Sequence, residues 1–193
     1  MSFKAAYKGQ QIRKELGIPL NAKVVLSVGE VNKNKNHKVG IEALSKLNDK
    51  GVYYVICGRG PLMEAHKELA KELGVGDRVI FKGYRTDVAD FYKMADVFLF
   101  PSFREGLPVA VIEAMVSGLP VIATKIRGSS DLVENAEVGA LVAPDDISRL
   151  TRELTNKLNV SRMKVMRADM EKVSTFRLNT VLEQVRAIYL ETT

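Results

Sequence analysis

Short apolar runs alternate with polar loops and amphipathic stretches along the first 145 residues of the chain. Six of these runs have the length and composition of buried strands, and they lie at residues 24–28, 52–57, 79–81, 97–100, 121–123 and 140–142. Continuous apolar runs are typical of strands covered on both faces, as in parallel sheets. Apolar residues at helical spacing separate the runs, as at Ile41, Leu44 and Leu47. The pattern predicts an α/β fold: a doubly wound, Rossmann-like parallel sheet of about six strands with helices on both faces.

Four predicted loops follow strands directly, after residues 28, 57, 81 and 100. The carboxyl ends of parallel strands meet at one edge of a sheet, where open α/β sheets bind their ligands, so we predict the site there. The first three loops contain glycines, cations and an aromatic ring suited to a ligand: Gly29, Lys33, Lys35, Gly58, Arg59, Tyr84 and Arg85. Tyr84 offers a stacking face and Arg85 a fixed charge. A packed aromatic ring beside a solvated arginine is the alternative for this pair.

The fourth loop, which begins after Pro101, carries the densest set of candidate residues. Gly106 frees the backbone, and Pro108 suits the first position of a helix. The segment from Val109 to Met115 is apolar nearly all round apart from Glu113, which predicts a buried helix with one carboxylate inside it or at a cleft. A buried carboxylate needs a partner.

Glu105 precedes Pro108 and so lies in the loop, where helical spacing does not pair it with Glu113. A glutamate at a helix N-terminus is held ionised by backbone donors and the helix dipole, and can accept from ligand hydroxyls. The donors beside it favour phosphate. The alternative is that Glu105 caps the helix and Glu113 forms a structural ion pair.

A series of motifs in this region resembles the signature of the retaining family-4 (group 1) glycosyltransferases. They are Pro101-Ser102, Glu105-Gly106, Glu113 after seven intervening residues, Ala114-Met115 and Gly118-Leu119-Pro120-Val121. These enzymes have two domains and the GT-B fold, of which this chain would be the C-terminal, donor-binding half. The resemblance implies transfer of a sugar from a UDP- or GDP-linked donor to a saccharide or lipid-linked acceptor, in polysaccharide or other glycan biosynthesis.

The same resemblance assigns roles to individual residues. It gives catalytic roles to Glu105 and Lys35, and ribose contacts to Glu113. The other implied donor-binding residues are Gly29, Lys33, Gly58, Arg59, Tyr84, Arg85, Gly106, Leu107, Pro108 and Val109. Glu30 stands where family members commonly carry an arginine, so one charge is missing from the expected phosphate clamp.

Residues 1–22 are expected to be a linker and leading helix that join an absent N-terminal, acceptor-binding domain to a nucleotide-sugar-binding domain at 23–193. Without that partner, the chain is expected to transfer no sugar. The apolar stripe over 178–189 is expected to form the helix that crosses back to the absent domain. Two other functions remain open: a non-catalytic nucleotide-sugar-binding chain of a two-chain transferase, and an epimerase or phosphorylase of similar fold.

The amino-acid composition excludes several classes of protein. The 193 residues are 46% hydrophobic and 27% charged, with one cysteine and two histidines, so neither an internal disulfide nor a metal-ligand cluster is expected. We expect no cofactor or metal besides the nucleotide sugar, and a surface position for His66. The sequence has no apolar run typical of a signal peptide or a membrane span, which favours a cytoplasmic protein.

The formal net charge of +6 is concentrated at the start of the chain. Lys33, Lys35 and Lys38 form a cluster that could be a solvated loop, attract nucleic acid or receive a phosphorylated small molecule. No nucleic-acid-binding motif accompanies the cluster, so a nucleic-acid partner is not expected. Contact with the inner face of the membrane stays open for an enzyme with lipid-linked acceptors.

Overall fold

A six-stranded sheet forms the centre of the chain, in a computed structural model that describes residues 3–133 and 139–165. The strands are β1 (Lys23–Val28), β2 (Val52–Cys57), β3 (Val79–Gly83), β4 (Val97–Phe100), β5 (Val121–Thr124) and β6 (Gly139–Val142). The helices are α1 (Phe3–Glu15), α2 (His37–Lys46), α3 (Met63–Glu72), α4 (Val88–Met94), α5 (Val109–Val116), α6 (Arg127–Ser130) and α7 (Ile147–Lys157), with a 3₁₀ turn at Gly76–Arg78. The predicted helix over 178–189 lies outside the described residues.

The strands are arranged in the order β3-β2-β1-β4-β5-β6, and every neighbouring pair is parallel. Leu26 of β1 pairs with Val55 of β2 on one side and with Phe98 of β4 on the other. The predicted doubly wound sheet with helices on both faces is therefore confirmed. The strand order reverses between β1 and β4, which is where such a sheet opens a crevice for ligands.

Alternate side chains of each strand enter two separate cores. Leu26 and Phe98 pack with residues of α1, α4 and α5 on one face of the sheet. Val25, Tyr54 and Leu99 pack with residues of α2, α3 and α7 on the other face. Full burial of a side chain such as that of Phe98 contributes about 1.5–3 kcal/mol to the stability of the fold. Because both faces of the sheet are covered, both sets of alternating side chains are apolar, and the strands appear in the sequence as continuous apolar runs.

Helix α5 is buried against the sheet on one side, as predicted, and is open to solvent on the other. Val111, Ala114 and Met115 are buried, whereas Val109 and Val116 are each 55% exposed. The helix lies in an outer layer, and its buried residues face the sheet. Pro108 directly precedes the helix instead of being its first residue.

His66 is buried, with 6% of its surface exposed, so the expected surface position is also wrong. It lies on α3, which packs against α2, and its ring interacts electrostatically with His37 at the start of α2. In the described residues Nδ1 of His66 has no hydrogen-bond partner.

Two arginines hold the C-terminal end of α4 from opposite ends of the described chain. Arg13 of α1 donates to the carbonyl oxygens of Met94 and Ala22 and pairs with Asp96 at 2.8 Å. Arg162 donates to the carbonyl oxygens of Ala95 at 2.7 Å, of Ser117 at 2.6 Å and of Tyr92. Burial lowers the pKa of Arg162. Helix α1 and the segment after α7 are thus fastened to the same point of the domain.

Candidate functional site

A cleft of about 550 Å³ opens at the carboxyl edge of the sheet, beside the reversal of strand order. It is lined by the loops after β1, β2 and β3 and by the first residue of α4. Five predicted donor-binding residues line it: Gly29, Gly58, Arg59, Tyr84 and Arg85. The other lining residues are Val28, Glu30, Cys57 and Val88. The structure therefore brings the first three predicted loops together around one space.

The first two loops are in direct backbone contact. The Gly29 N–H donates to the carbonyl oxygen of Cys57 at 2.9 Å, and a Cβ placed on Gly58 would lie 1.8 Å from the carbonyl oxygen of Gly29. No side chain fits between them at that distance. The same approach continues at Gly60, where a Cβ would lie 2.3 Å from the carbonyl oxygen of Val31. These glycines set the floor of the cleft through close contact of two main chains.

Tyr84 and Arg85 form the third side of the cleft. Tyr84 is 71% exposed, so its ring is available for stacking, and the alternative of a packed aromatic ring is wrong. Arg85 makes a bidentate pair with Asp87, with contacts of 2.8 and 2.6 Å, and lies over the ring of Phe91 at 5.3 Å. The guanidinium of Arg85 holds the pKa of Asp87 below its usual range. Asp87 in turn orients the arginine instead of leaving it to move freely in solvent.

Cys57 lines the cleft as a thiol. Burial raises its pKa to about 12, so almost none of it is thiolate near neutral pH. The thiolate is the nucleophilic form of cysteine. Cys57 therefore contributes shape to the cleft and no nucleophile.

Lys35 and Glu105 meet at the reversal of strand order, although 70 residues separate them in sequence. Lys35 Nζ lies 2.7 Å from Glu105 Oε1, with the two side chains 22% and 17% exposed. Lys35 also lies over the ring of Phe100, 5.2 Å from its centroid. In the described structure no side chain caps α5, so the alternative in which Glu105 caps that helix is wrong.

Asn34 fastens the loop after β1 to the loop after β4, a role that the sequence did not reveal. Its carbonyl oxygen accepts from the Phe103 N–H at 2.8 Å. Its side chain donates to the carbonyl oxygen of Arg104 at 2.9 Å and accepts from the Arg104 N–H at 3.1 Å. A further contact of 3.3 Å joins its amide nitrogen to Glu105. Asn34 thus fixes the approach of Lys35 to Glu105, although no local signal identifies such a contact across 70 residues.

The predicted phosphate-binding residues after Glu105 form an exposed turn. Leu107 is 65% exposed, and its carbonyl oxygen accepts from the Val109 N–H at 3.0 Å. Gly128 supports the turn from below, because a Cβ there would lie 2.3 Å from the carbonyl oxygen of Gly106. Pro108 is buried. The turn therefore presents its backbone to solvent beside the Lys35–Glu105 pair.

Of the two positions predicted for Glu113, the one inside the fold is wrong, because the residue is exposed, and the one at a cleft stays a prediction. Its Oε2 accepts a hydrogen bond from the Tyr92 hydroxyl at 2.9 Å. The expected structural ion pair is thus replaced, among the contacts of the described residues, by a neutral donor. Val109, four residues earlier on α5, is exposed as well.

Lys33 and Glu30 occupy the outer part of the first loop. Lys33 is exposed and does not line the cleft, whereas Glu30 lines it and accepts from the Asn32 side chain at 2.9 Å. Residues 3–133 and 139–165 contain no group of three or more His, Cys, Asp or Glu side chains that could hold a metal ion. In the same ranges no helix is long and apolar enough to cross a bilayer.

The family model for the group 1 glycosyltransferases matches residues 9–172. The chain belongs to the group 1 glycosyltransferases. The match does not favour the alternatives of an epimerase or a phosphorylase. Because it extends from α1 to beyond α7, both cores and all the loops of the cleft fall inside the family region.

Curated relatives of this group 1 glycosyltransferase are considerably longer than the chain. The glycosyltransferase EpsD of Bacillus subtilis is 32% identical over 147 residues, which cover 75% of this chain and 39% of EpsD. A D-inositol 3-phosphate glycosyltransferase of Corynebacterium glutamicum is 36% identical over 143 residues, 69% of this chain and 34% of that protein. The chain therefore spans less than half the length of these two relatives.

Solved structures agree with the fold over nearly the whole of this group 1 glycosyltransferase chain. A glycosyltransferase of Rickettsia africae has a TM-score of 0.86 at 25% identity, over 96% of this chain and 52% of its own. HepE of Anabaena, in complex with UDP and glucose, has a TM-score of 0.84 at 22% identity and covers 100% of this chain and 53% of its own. The chain thus has the Rossmann-like fold of about one half of these proteins.

Proposed function

We propose that this chain is the C-terminal, donor-binding domain of a retaining glycosyltransferase, and that it binds a UDP- or GDP-linked sugar. The observation that carries the proposal is the Lys35–Glu105 pair. It lies where the strand order reverses and beside a cleft built from the loops after β1, β2 and β3. That position gives a nucleotide and its diphosphate two adjoining sites at one sheet edge.

Different residues bind the base, the ribose and the diphosphate of the donor. Tyr84 stacks on the base at the rim of the cleft, and Glu113 accepts from the ribose hydroxyls. Lys35 and the exposed backbone of the turn at Gly106 and Leu107 bind the diphosphate.

Lys35 also has a catalytic role, because negative charge grows on the diphosphate as the sugar leaves and a preplaced cation stabilises that charge. Glu105 holds the hydroxyls of the transferred sugar. Its 2.7 Å contact with Lys35 holds its carboxylate in one orientation before the donor arrives.

The acceptor is a saccharide or a lipid-linked glycan, bound by an N-terminal domain, with the reaction at the cytoplasmic face of the membrane. In support, a relative from Escherichia coli is named UDP-Gal:alpha-D-GlcNAc-diphosphoundecaprenol alpha-1,3-galactosyltransferase. It is 28% identical over 194 residues, which cover 97% of this chain and 50% of that protein. The HepE complex further supports a uridine donor.

Isothermal titration of the 193-residue chain with UDP, GDP and ADP tests the proposal. UDP or GDP is expected to bind, and Lys35→Met is expected to weaken that diphosphate about tenfold or more while leaving the weak binding of the corresponding nucleoside unchanged. Lys46→Met is the matched control, because Lys46 is exposed at the far end of α2. Absence of binding of all three nucleotides at millimolar concentration would contradict the proposal.

A further inference from the structure

Tyr92 lies on α4, the helix whose first residue lines the cleft, and its hydroxyl contacts α5. It is 2% exposed, and it follows Val88, which lines the cleft, by one turn of α4. Its ring packs against Phe98 of the sheet with centroids 5.6 Å apart. Its hydroxyl donates to Glu113 Oε2 at 2.9 Å and lies 3.3 Å from the carbonyl oxygen of Ala110. The buried Tyr92 of α4 thus donates a hydrogen bond to Glu113 of α5.

We infer that Tyr92 is a positioning residue that aims the Glu113 carboxylate at the ribose hydroxyls of the nucleotide. The inference rests on the proposed function and deepens it. Glu113 is exposed, and among the described contacts only the Tyr92 hydroxyl holds its carboxylate. An exposed glutamate samples several rotamers, each of which places its oxygens differently.

The hydroxyl can hold the carboxylate because burial and packing on Phe98 restrict the ring that carries it. The carbonyl oxygen of Ala110, three residues before Glu113, lies 3.3 Å from the same hydroxyl. With Oε2 engaged, Oε1 and the remaining lone pairs of Glu113 stay available as acceptors. The conformational entropy of the Glu113 side chain is then lost when the protein folds and not when the nucleotide binds. Residues that fix a ligand-binding side chain in this way strengthen binding.

A purely structural role for the same hydrogen bond predicts a different result. The bond would then stabilise the packing of α4 on α5, and its loss would lower stability without regard to ribose. Tyr92→Phe separates the two cases because it keeps the ring against Phe98 and removes only the hydroxyl. The acceptors it leaves are the exposed carboxylate of Glu113 and the Ala110 carbonyl oxygen, so no buried charge is stranded.

The test compares UDP and GDP with their 2′,3′-dideoxy analogues by titration calorimetry. Tyr92→Phe is expected to raise the Kd of the nucleotide that binds by about three- to tenfold, the effect of one hydrogen bond. The Kd of the dideoxy analogue is expected to stay unchanged. In a Glu113→Ala background, the same tyrosine substitution is expected to have no further effect on the Kd. Tyr53→Phe is the matched control, because Tyr53 packs against the same core from β2.

The outcomes distinguish a failure of the proposed function from a failure of the role of Tyr92 alone. If the wild-type chain binds neither UDP nor GDP, both fail together. If it binds a nucleotide more tightly than the dideoxy analogue and Glu113→Ala removes that preference, the proposed function stands. In that case, a Tyr92→Phe chain that keeps the full preference, or that weakens both ligands equally, overturns the role of Tyr92 alone.

Discussion

Lowering the pH from 7 to 5 should destabilise the fold through His37, the first residue of α2. The ring is 2% exposed, and its Nδ1 lies 3.4 Å from the Tyr54 hydroxyl. Burial, reinforced by the positive charges of His66 and Lys35, lowers the pKa of His37 from 6.5 to about 4, and the backbone of Gly29 and Glu30 only partly opposes this. The folded protein therefore resists a proton that the unfolded chain accepts.

The sign and size of the effect follow from these two pKa values. As the pH falls below 6.5, the unfolded chain takes up a proton first, so stability decreases until the folded-state pKa of about 4 is reached and is constant below it. Each unit between the two values is worth about 1.4 kcal/mol, which gives about 3 kcal/mol in total and about 2 kcal/mol by pH 5. For a domain of ordinary stability, this is a large fraction of the free energy of unfolding.

Urea unfolding at pH 7, 6 and 5, for the wild type and for His37→Asn, measures this contribution. The loss of stability between pH 7 and 5 is expected to be about 2 kcal/mol smaller in the variant. His66→Asn is measured in parallel, because burial also lowers the pKa of His66. An unchanged pH dependence in His37→Asn would refute the reasoning, whatever the absolute stability of that variant.

Three further predictions concern the loops and the activity of the chain on its own. A double-mutant cycle of Lys35→Met and Glu105→Gln, followed by urea unfolding, is expected to give a coupling of about 1 kcal/mol or less, because both side chains keep water contact; a coupling of about 3 kcal/mol would contradict this. Gly58→Ala should lower the free energy of unfolding by more than about 2 kcal/mol, since its Cβ would overlap the Gly29 carbonyl oxygen. In Gly74→Ala the new Cβ meets no atom within 4 Å, so the loss should be about 1 kcal/mol, and equal losses in the same assay would disprove the contact argument. The chain alone should release no nucleotide from labelled UDP-glucose or GDP-mannose with saccharide acceptors, because a cleft without the acceptor-binding side loses most of the roughly 7–11 kcal/mol gained by holding two reactants together. Turnover without an added N-terminal domain would show that the proposed domain assignment is wrong.

The sheet and the edge that carries the site could be predicted because each depends on a repeated, local pattern. Six continuous apolar runs indicate strands covered on both faces, and parallel strands necessarily place their following loops together. Five of the residues predicted in those loops consequently line one cleft. The pairing of Lys35 with Glu105 depends on contacts across 70 residues, and for that reason only the shared edge was predictable.

The errors arose where a side chain's environment depends on how many layers cover a helix. Helix α5 is apolar nearly all round, so its sequence does not indicate which side is left open, and it left a position of Glu113 inside the fold as one of two predictions. For His66 a signal was present: it precedes the buried Ala70 by four residues and therefore lies on the same face of α3. Its polar neighbours Lys67 and Glu68 obscured that spacing.

The two arginines at the end of α4 set the limits for transplanting this domain into another enzyme. A recombinant segment reduced to the sheet and its helices, residues 23–157, would keep every strand but discard both Arg13 and Arg162. The carbonyl oxygens of Tyr92, Met94, Ala95 and Ser117 would lose their charged donors, and the helix that carries Val88 and Tyr92 would lose its anchor. Chimaeric glycosyltransferases should therefore be joined before Arg13 and after Arg162, so that the domain is exchanged together with both arginines.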